Sequence, residues 1–166
     1  QDIHRAVERT QPHIVFHLGA CGVNPRITDP SLLFGTNVLG TLYLLESLIG
    51  SRVERVVHTG TCFEYGNQRT RLSERHPLRP LNEYAVSKAA AGNLVDLFSR
   101  RQGLPVVSLR LFTFFGPHER PDRLIPSTIR AILEGRDIEI TSGRQTRDYT
   151  YVEDMVEAFL VMGSHP

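Results

Sequence analysis

The stretch "HIVFHLGACGVNPRITDPSLLFGTNVLGTLYLLESLIGSRVERVVHTG", residues 13–60, contains a complete strand–helix–strand unit. Residues 13–20 form a short run of β-branched and aromatic residues ending in a small one, which is typical of a buried strand. Residues 21–31 are rich in Gly, Asn and Pro and predict a loop. From Pro30 to Ile49 the apolar residues recur at helical spacing. Residues 55–60 predict the next strand.

The same alternation continues through the rest of the chain. We predict a loop from Thr61 to about Pro80, helices over 81–101, 124–135 and 153–162, and strands over 105–112, 138–141 and 147–152, with a loop over 113–123. Alternating strands and helices predict an α/β fold, a Rossmann-like doubly wound parallel sheet. Ligands bind such sheets beyond the carboxyl ends of the strands. The loops that open at Gly19, Gly60 and Thr113 would meet at that edge.

Composition excludes several classes of function. The chain has 166 residues, of which 40% are hydrophobic and 22% charged, and its net charge of +1 gives no electrostatic basis for binding nucleic acid or an anionic membrane. No apolar run can span a bilayer, and the opening "QDIHRAVERT" lacks the apolar core of a signal peptide, so we expect a cytoplasmic protein. The two Cys and the His residues show no metal-ligand spacing, so we expect no metal site.

One pair of residues suggests catalysis. Of the 19 Lys and Arg residues only Lys88 is a lysine, and it lies one helical turn after Tyr84. A nearby ammonium group favours the phenolate and lowers the pKa of a tyrosine, and lysine can donate three hydrogen bonds from a compact head group. The alternative is an ordinary exposed pair on a helix. Thr61, at the carboxyl end of the strand before this helix, would supply a partner hydroxyl.

Six motifs in order carry a family resemblance, from about Gln11 to Leu160. They are "PHIVFHLGA", "TNVLGTLYLLES", "RVVHTGTCFEYG", "YAVSK", "LRLFTFFGP" and "RDYTYVEDMVEAF". Together they resemble the extended short-chain dehydrogenase/reductases, in the branch of NAD-dependent nucleotide-sugar epimerases and dehydratases. The resemblance implies hydride exchange at a carbon of a nucleotide-diphosphate sugar, with NAD as cofactor and NADP left open.

The resemblance also assigns roles to individual residues. It implies that Tyr84 is the catalytic acid/base, that Lys88 lowers its pKa and bonds the nicotinamide ribose, and that Thr61 bonds the reacting sugar oxygen. The cofactor would be bound by Gly19, Ala20, Asn37, Tyr84 and Lys88. The substrate would be bound by Thr61, Thr113 and Arg147. Thr113, Phe115 and Gly60 depart from the family's usual Asn, Tyr and Ser.

The residues after Thr61 separate the possible reactions. In the family, 4,6-dehydratases place an Asp-Glu pair directly after the catalytic Thr, whereas Cys62 and Phe63 stand here. Glu64 is shifted by one residue and would point elsewhere on an extended segment. We therefore predict a 4-epimerase or 4-keto reductase. A 4,6-dehydratase and a non-catalytic scaffold or redox sensor remain alternatives, and a Cys62 hydrolase is disfavoured because His58 would face away from Cys62.

The resemblance further predicts organisation and assembly. No Gly-rich phosphate-binding turn occurs, and the first strand matches the family's fourth. We therefore expect these residues to be the middle of a chain about twice as long, and to bind NAD only weakly on their own. Residues 1–112 would belong to the dinucleotide-binding domain with the active site, and 113–166 would begin the substrate-binding lobe. We expect a homodimer through helices 30–49 and 81–101, with Val38, Leu42, Leu45, Leu48, Ala89, Leu94, Leu97 and Phe98 on the apolar face.

Overall fold

Three parallel strands form the central sheet of a computed structural model that describes residues 2–24, 26–68 and 70–165. They are β1 (Ile14–His17), β2 (Arg55–Thr61) and β3 (Val106–Leu111), in the spatial order β1-β2-β3. The register pairs Val15 with Val56 and Val57 with Val107. The predicted α/β fold with a parallel sheet is confirmed.

Helices connect these strands. The described elements include α1 (Asp2–Thr10), α2 (Pro30–Phe34), a π-helical segment (Gly35–Leu39), α3 (Gly40–Leu48), a 3-10 turn (Cys62–Tyr65) and α4 (Glu83–Gln102). The helix predicted over 30–49 is thus helical throughout, but five of its residues form a wider π turn. Helix α1 was not predicted, although its charges alternate with apolar residues and Val7 is buried.

The core of this part of the chain lies between the sheet and α1, α3 and α4. Its buried members are Val7 on α1, Leu45 and Leu48 on α3, Val56 on β2, Val95 on α4, and Leu104 between α4 and β3. Burial of such side chains is the main favourable contribution to folding. The core therefore holds α1, α3 and α4 against the sheet.

The chain divides into two compact units. One comprises the residues up to Leu111 together with those from Phe159 onward, and the other comprises Phe112–Ala158. In the first unit, the ring of Phe159 packs edge-on against Phe16 with ring centroids 6.3 Å apart. The predicted domain limits at residues 1 and 166 lie outside the described residues.

The second unit contains a small parallel pair of strands. Here β4 (Thr113–Phe115) pairs with β5 (Tyr149–Tyr151), and the unit also contains α5 (Leu124–Leu133) and the start of α6 (Val152–Ser164). The loop predicted over 113–123 is therefore wrong at its beginning. The strand predicted over 138–141 is also wrong: these residues form no strand and are mostly exposed.

None of the helices in the described part of the chain is both long and apolar enough to cross a membrane.

Candidate active site

Tyr84 lies in the first turn of α4, directly above the end of the sheet. The helix begins there because the Asn82 side chain accepts a hydrogen bond from the backbone N–H of Ala85 at 2.8 Å. It continues to Gln102, where Gly103 adopts a left-handed conformation. Lys88 follows one turn after Tyr84, so both side chains lie on the same side of the helix.

The ring of Tyr84 is held from several directions. Its phenol group lies close enough to the Thr61 hydroxyl for that hydroxyl to lower its pKa, and its ring meets Phe63 edge-on at 6.4 Å. Gly22 packs directly against it: a Cβ there would lie 2.9 Å from the Tyr84 ring, and its φ of +92° also favours glycine. The structure thus brings together Tyr84 and Thr61, as the sequence predicted.

The pKa of Tyr84 differs from the expectation. Burial, which disfavours the charged phenolate, raises this pKa above its ordinary value, and the nearby Glu64 and Cys62 also raise it. The Thr61 hydroxyl acts in the opposite direction and lowers it. The net shift is upward because desolvation is its largest cause, and Lys88 is not among the described groups that shift this pKa, so the prediction that Lys88 lowers it is not met.

Lys88 is almost completely buried, with 2% of its surface exposed. Burial lowers the pKa of its ammonium group, and the charge of Glu64 raises it. Among the described residues, the ammonium group forms no direct hydrogen bond or ion pair. A buried cation without a direct partner is costly and is therefore a candidate for binding a ligand.

Two histidines feel the charge of Lys88 and were not predicted as part of the site. The rings of His17 and His58 are 5.7 Å apart, and they bond to the hydroxyls of Thr41 at 2.9 Å and Ser108 at 3.1 Å. Burial and the charge of Lys88 lower the pKa of His17 to about 4 and that of His58 to about 3. Both rings are therefore neutral at physiological pH and add no positive charge around Lys88.

Asn37 connects three parts of the site. It is buried in the π-helical segment, and its side chain accepts from the N–H of Cys21 at 2.8 Å and donates to the Cys21 carbonyl at 2.9 Å. It also donates to the Ser87 hydroxyl at 2.9 Å. Both amide hydrogens are thus used within the protein, and Asn37 fixes the loop after β1 against α4. Ser87 is a contact that the sequence analysis missed.

Gly19 and Ala20 lie just beyond the carboxyl end of β1. Gly19 is exposed, and a Cβ there would make only an ordinary contact with His17, at 3.8 Å. Packing within the described residues therefore does not require glycine at this position. The small side chain leaves the backbone accessible, as the cofactor-binding prediction needs.

The last two predicted site residues lie in the second unit. Thr113 begins β4 and is partly buried, and Arg147 is exposed just before β5. Within the described ranges Arg147 forms no ion pair, so the structure offers no internal partner for its guanidinium. No group of three or more His, Cys, Asp or Glu residues that could hold a metal ion occurs in the described part of the chain.

Comparison with known proteins identifies the family. The model of the NAD-dependent epimerase/dehydratase family matches residues 1–166. The chain belongs to this family. A probable UDP-glucuronate 4-epimerase of Rhizobium meliloti is 29% identical over 99% of the chain and 49% of its own length. The human dTDP-D-glucose 4,6-dehydratase is 38% identical over 76% of the chain and 37% of its own length.

Solved structures of the epimerase/dehydratase family superpose closely on the chain. MoeE5, in complex with UDP-glucuronic acid and NAD, gives a TM-score of 0.88 at 38% identity and covers 100% of the chain and 56% of its own. The UDP-glucuronic acid 4-epimerase of Bacillus cereus, in complex with UDP-glucuronic acid and NAD, gives a TM-score of 0.85 at 29% identity. This match covers 97% of the chain and 52% of the epimerase. The chain thus spans about half the length of the relatives it matches.

Proposed function

We propose that the intact protein is an NAD-dependent 4-epimerase or 4-keto reductase of a nucleotide-diphosphate sugar. The observation that carries this proposal is the arrangement of Tyr84 beside Thr61, with Lys88 one helical turn away, buried and without an ion-pair partner among the described residues. A protein that used this fold only as a scaffold would have no reason to bury a lysine in this way.

The residues at the edge of the sheet fit a dinucleotide. Lys88 offers up to three hydrogen-bond donors and has no described partner, and Gly19 leaves its backbone open to close approach. Lys88, Gly19, Ala20 and Tyr84 would contact NAD. When bound, NAD supplies the acceptor and donor of hydride at a sugar carbon. Asn37 would not contact NAD itself, and its role is to hold the loop at Cys21 in place.

Proton transfer is the task of Tyr84. As a phenolate it takes the proton from the sugar hydroxyl, and as a phenol it returns one to the keto oxygen. The Thr61 hydroxyl bonds the same oxygen and keeps Tyr84 aligned with it. Because burial raises the pKa of Tyr84, the phenolate is the minor form at neutral pH, and we expect proton removal to become faster as pH rises.

The turn after Thr61 supports an epimerase or reductase over a dehydratase. Cys62 and Phe63 carry no carboxyl group, and Glu64 lies in a 3-10 turn rather than on an extended segment as assumed from the sequence. Its side chain is turned inward and paired with Arg110. Glu64 is therefore not available to move protons at the sugar's C5 and C6.

The reaction can be tested directly. We expect the intact protein with NAD to convert UDP-glucuronic acid, UDP-glucose or dTDP-glucose into the C4 epimer, or with NADH as hydride donor to reduce a 4-keto sugar nucleotide, as followed by proton NMR. Mass spectrometry of the same samples is the check on the chemistry. A product that has lost one water molecule would show that the protein is a 4,6-dehydratase.

A homodimer through α3 and α4 is part of the proposal, with a corrected face. Leu45, Leu48 and Ala89 are buried within the chain's own core, so their predicted place at the interface is wrong. The exposed apolar residues on the outer sides of these helices and of the π segment are Leu39, Tyr43, Val86 and Leu97, exposed by 46, 54, 40 and 36%.

We expect light scattering to give the mass of a dimer at micromolar concentration. Val86→Asp should shift the protein towards the monomer, because it places a charge in an apolar interface. Ile132→Asp on α5, also at an exposed apolar position, is the matched control and should leave the mass unchanged. A wild-type monomer would contradict the proposed assembly.

The assignment of residues 113–166 to a substrate-binding lobe, with contacts from Thr113 and Arg147, and the cytoplasmic location stay predictions.

A further inference from the structure

A buried ion pair lies directly beneath the turn that carries Thr61. Glu64 has 1% of its surface exposed, and both of its carboxylate oxygens are used. One accepts a hydrogen bond from the backbone N–H of Thr61 at 2.7 Å, and the other accepts from Nε of Arg110 at 2.8 Å. Arg110 in turn donates to the hydroxyl of Tyr65 at 3.3 Å and lies over its ring.

The turn is closed by reciprocal contacts. The Thr61 hydroxyl accepts from the N–H of Phe63 at 3.4 Å, while Glu64 accepts from the N–H of Thr61, so that the two side chains form a capping box. Since Arg110 belongs to β3, the carboxylate also ties this turn to the neighbouring strand. The position of the Thr61 backbone therefore depends on Glu64.

Gly60 explains how the carboxylate fits. A Cβ at residue 60 would lie 2.8 Å from Oε1 of Glu64 and 3.0 Å from Cγ of Arg110. Any side chain there would displace one of the two partners. The glycine that stands in place of the family's usual Ser thus makes room for the ion pair.

We propose that Glu64 is a positioning residue of this site. Its carboxylate fixes the turn that carries Thr61. It also supplies a negative charge to the surroundings of the buried Lys88, which has no direct ion-pair partner among the described residues. The inference rests on the proposed function for its catalytic consequence. Removing the charge of Glu64 changes the pKa values of Lys88 and Tyr84, whereas displacing its carboxylate changes the position of Thr61. Two variants separate these effects.

Several charged or titratable groups surround Lys88. Glu64 on the 3-10 turn, His17 on β1 and His58 on β2 act on Lys88 or are acted on by it, while Arg110 on β3 interacts with Glu64 and His58, and Tyr84 on α4 interacts with Glu64 and Cys62. The two histidines are neutral, and Arg110 is itself positive, so Glu64 is the negative group whose charge acts on Lys88. It raises the pKa of Lys88 and also that of Tyr84.

The first variant, Glu64→Gln, keeps an acceptor for the Thr61 N–H but removes the charge, and its amide NH2 takes the place of the oxygen that accepts from Nε of Arg110. We expect the pKa of Lys88 to move down, measured by NMR of the labelled lysine side chain and assigned with Lys88→Arg. We also expect the alkaline rise in activity to move to lower pH, since the pKa of Tyr84 falls. A purely structural role would move neither, and Glu46→Gln, an exposed acid on α3, is the matched control.

The second variant, Gly60→Ala, keeps the charge but pushes Glu64 away from the Thr61 N–H. We expect kcat to fall on the order of 10-fold, the effect of losing one hydrogen bond to a charged group. KM for the nucleotide sugar and the pKa of Lys88 should change little. This variant also serves if Glu64→Gln fails to fold.

The outcomes separate this inference from the proposed function. An unchanged Lys88 titration in folded Glu64→Gln, or full activity of Gly60→Ala, would overturn the positioning role even in an active enzyme. Conversely, a shifted Lys88 titration in a protein that acts on no sugar nucleotide would uphold the electrostatic role of Glu64 and refute the proposed function.

Discussion

Replacement of Tyr84 by Phe is expected to lower the turnover of the sugar nucleotide by on the order of 10²–10⁴-fold, because the variant removes the only atom of this side chain that can transfer a proton. The ring contacts with Phe63 and Gly22 do not involve the hydroxyl, so the fold and the binding of NAD should be retained. Turnover is measured by coupled assay, and NAD binding by calorimetric titration.

Tyr43→Phe is the matched control for this variant. Tyr43 is 54% exposed on α3, and its hydroxyl has no place in the proposed chemistry, so this change should leave turnover intact. If Tyr84→Phe keeps more than a tenth of wild-type turnover while Tyr43→Phe behaves as wild type, then the acid/base is another group and the proposed role of Tyr84 is wrong.

Replacement of Lys88 by Arg should be nearly as damaging, on the order of 10²-fold in kcat/KM, although the charge is conserved. The side chain is 2% exposed, so there is little room for a broad planar head group. A guanidinium also presents its donors in a fixed fork and cannot reproduce those of an ammonium group. We expect weaker NAD binding as well as slower turnover.

Two further variants make the lysine test specific. Arg101→Lys, an exposed exchange of the same two residue types at the end of α4, should change neither quantity. Lys88→Met has a similar volume without charge and should bind NAD more weakly still if the ammonium contacts the ribose. Full activity in Lys88→Arg would mean that any cation suffices, and that the single lysine of this chain has another explanation.

Sequence patterns predicted the parts of the fold that are set by local rules. The apolar run at 13–20 and the helical spacing at 30–49 gave strand β1 and a helical segment at nearly their observed positions, because burial fixes both periods. The strand expected at 138–141 has a suitable composition, but no neighbouring strand pairs with it. Strand pairing depends on distant residues, which a local pattern does not contain.

For the candidate site, too, local spacing was predictive, whereas features that depend on packing were missed. The spacing of Tyr84 and Lys88 placed them on one helix face, and the strand before them placed Thr61 nearby. The direction of the Tyr84 pKa was missed because desolvation depends on packing that spacing does not reveal. Glu64 was misjudged because an extended segment was assumed where the chain forms a 3-10 turn.

The π-helical segment Gly35–Leu39 restricts how the length of this chain can vary in evolution. Its wide turn accommodates one residue more than an α-helix would, and the N–H of Gly40 bonds to the carbonyl of Gly35. Deleting that extra residue would let the turn close as an ordinary α-helical turn and leave Leu45 and Leu48 on the core, whereas deleting a residue of the regular helix α3 before Leu45 would rotate the rest of that helix by about 100° and turn both leucines away. Homologues that keep this site should therefore tolerate insertions and deletions in the exposed stretch 134–148, while between Leu33 and Leu45 the length change that they can accept is loss of the single extra residue of the π turn.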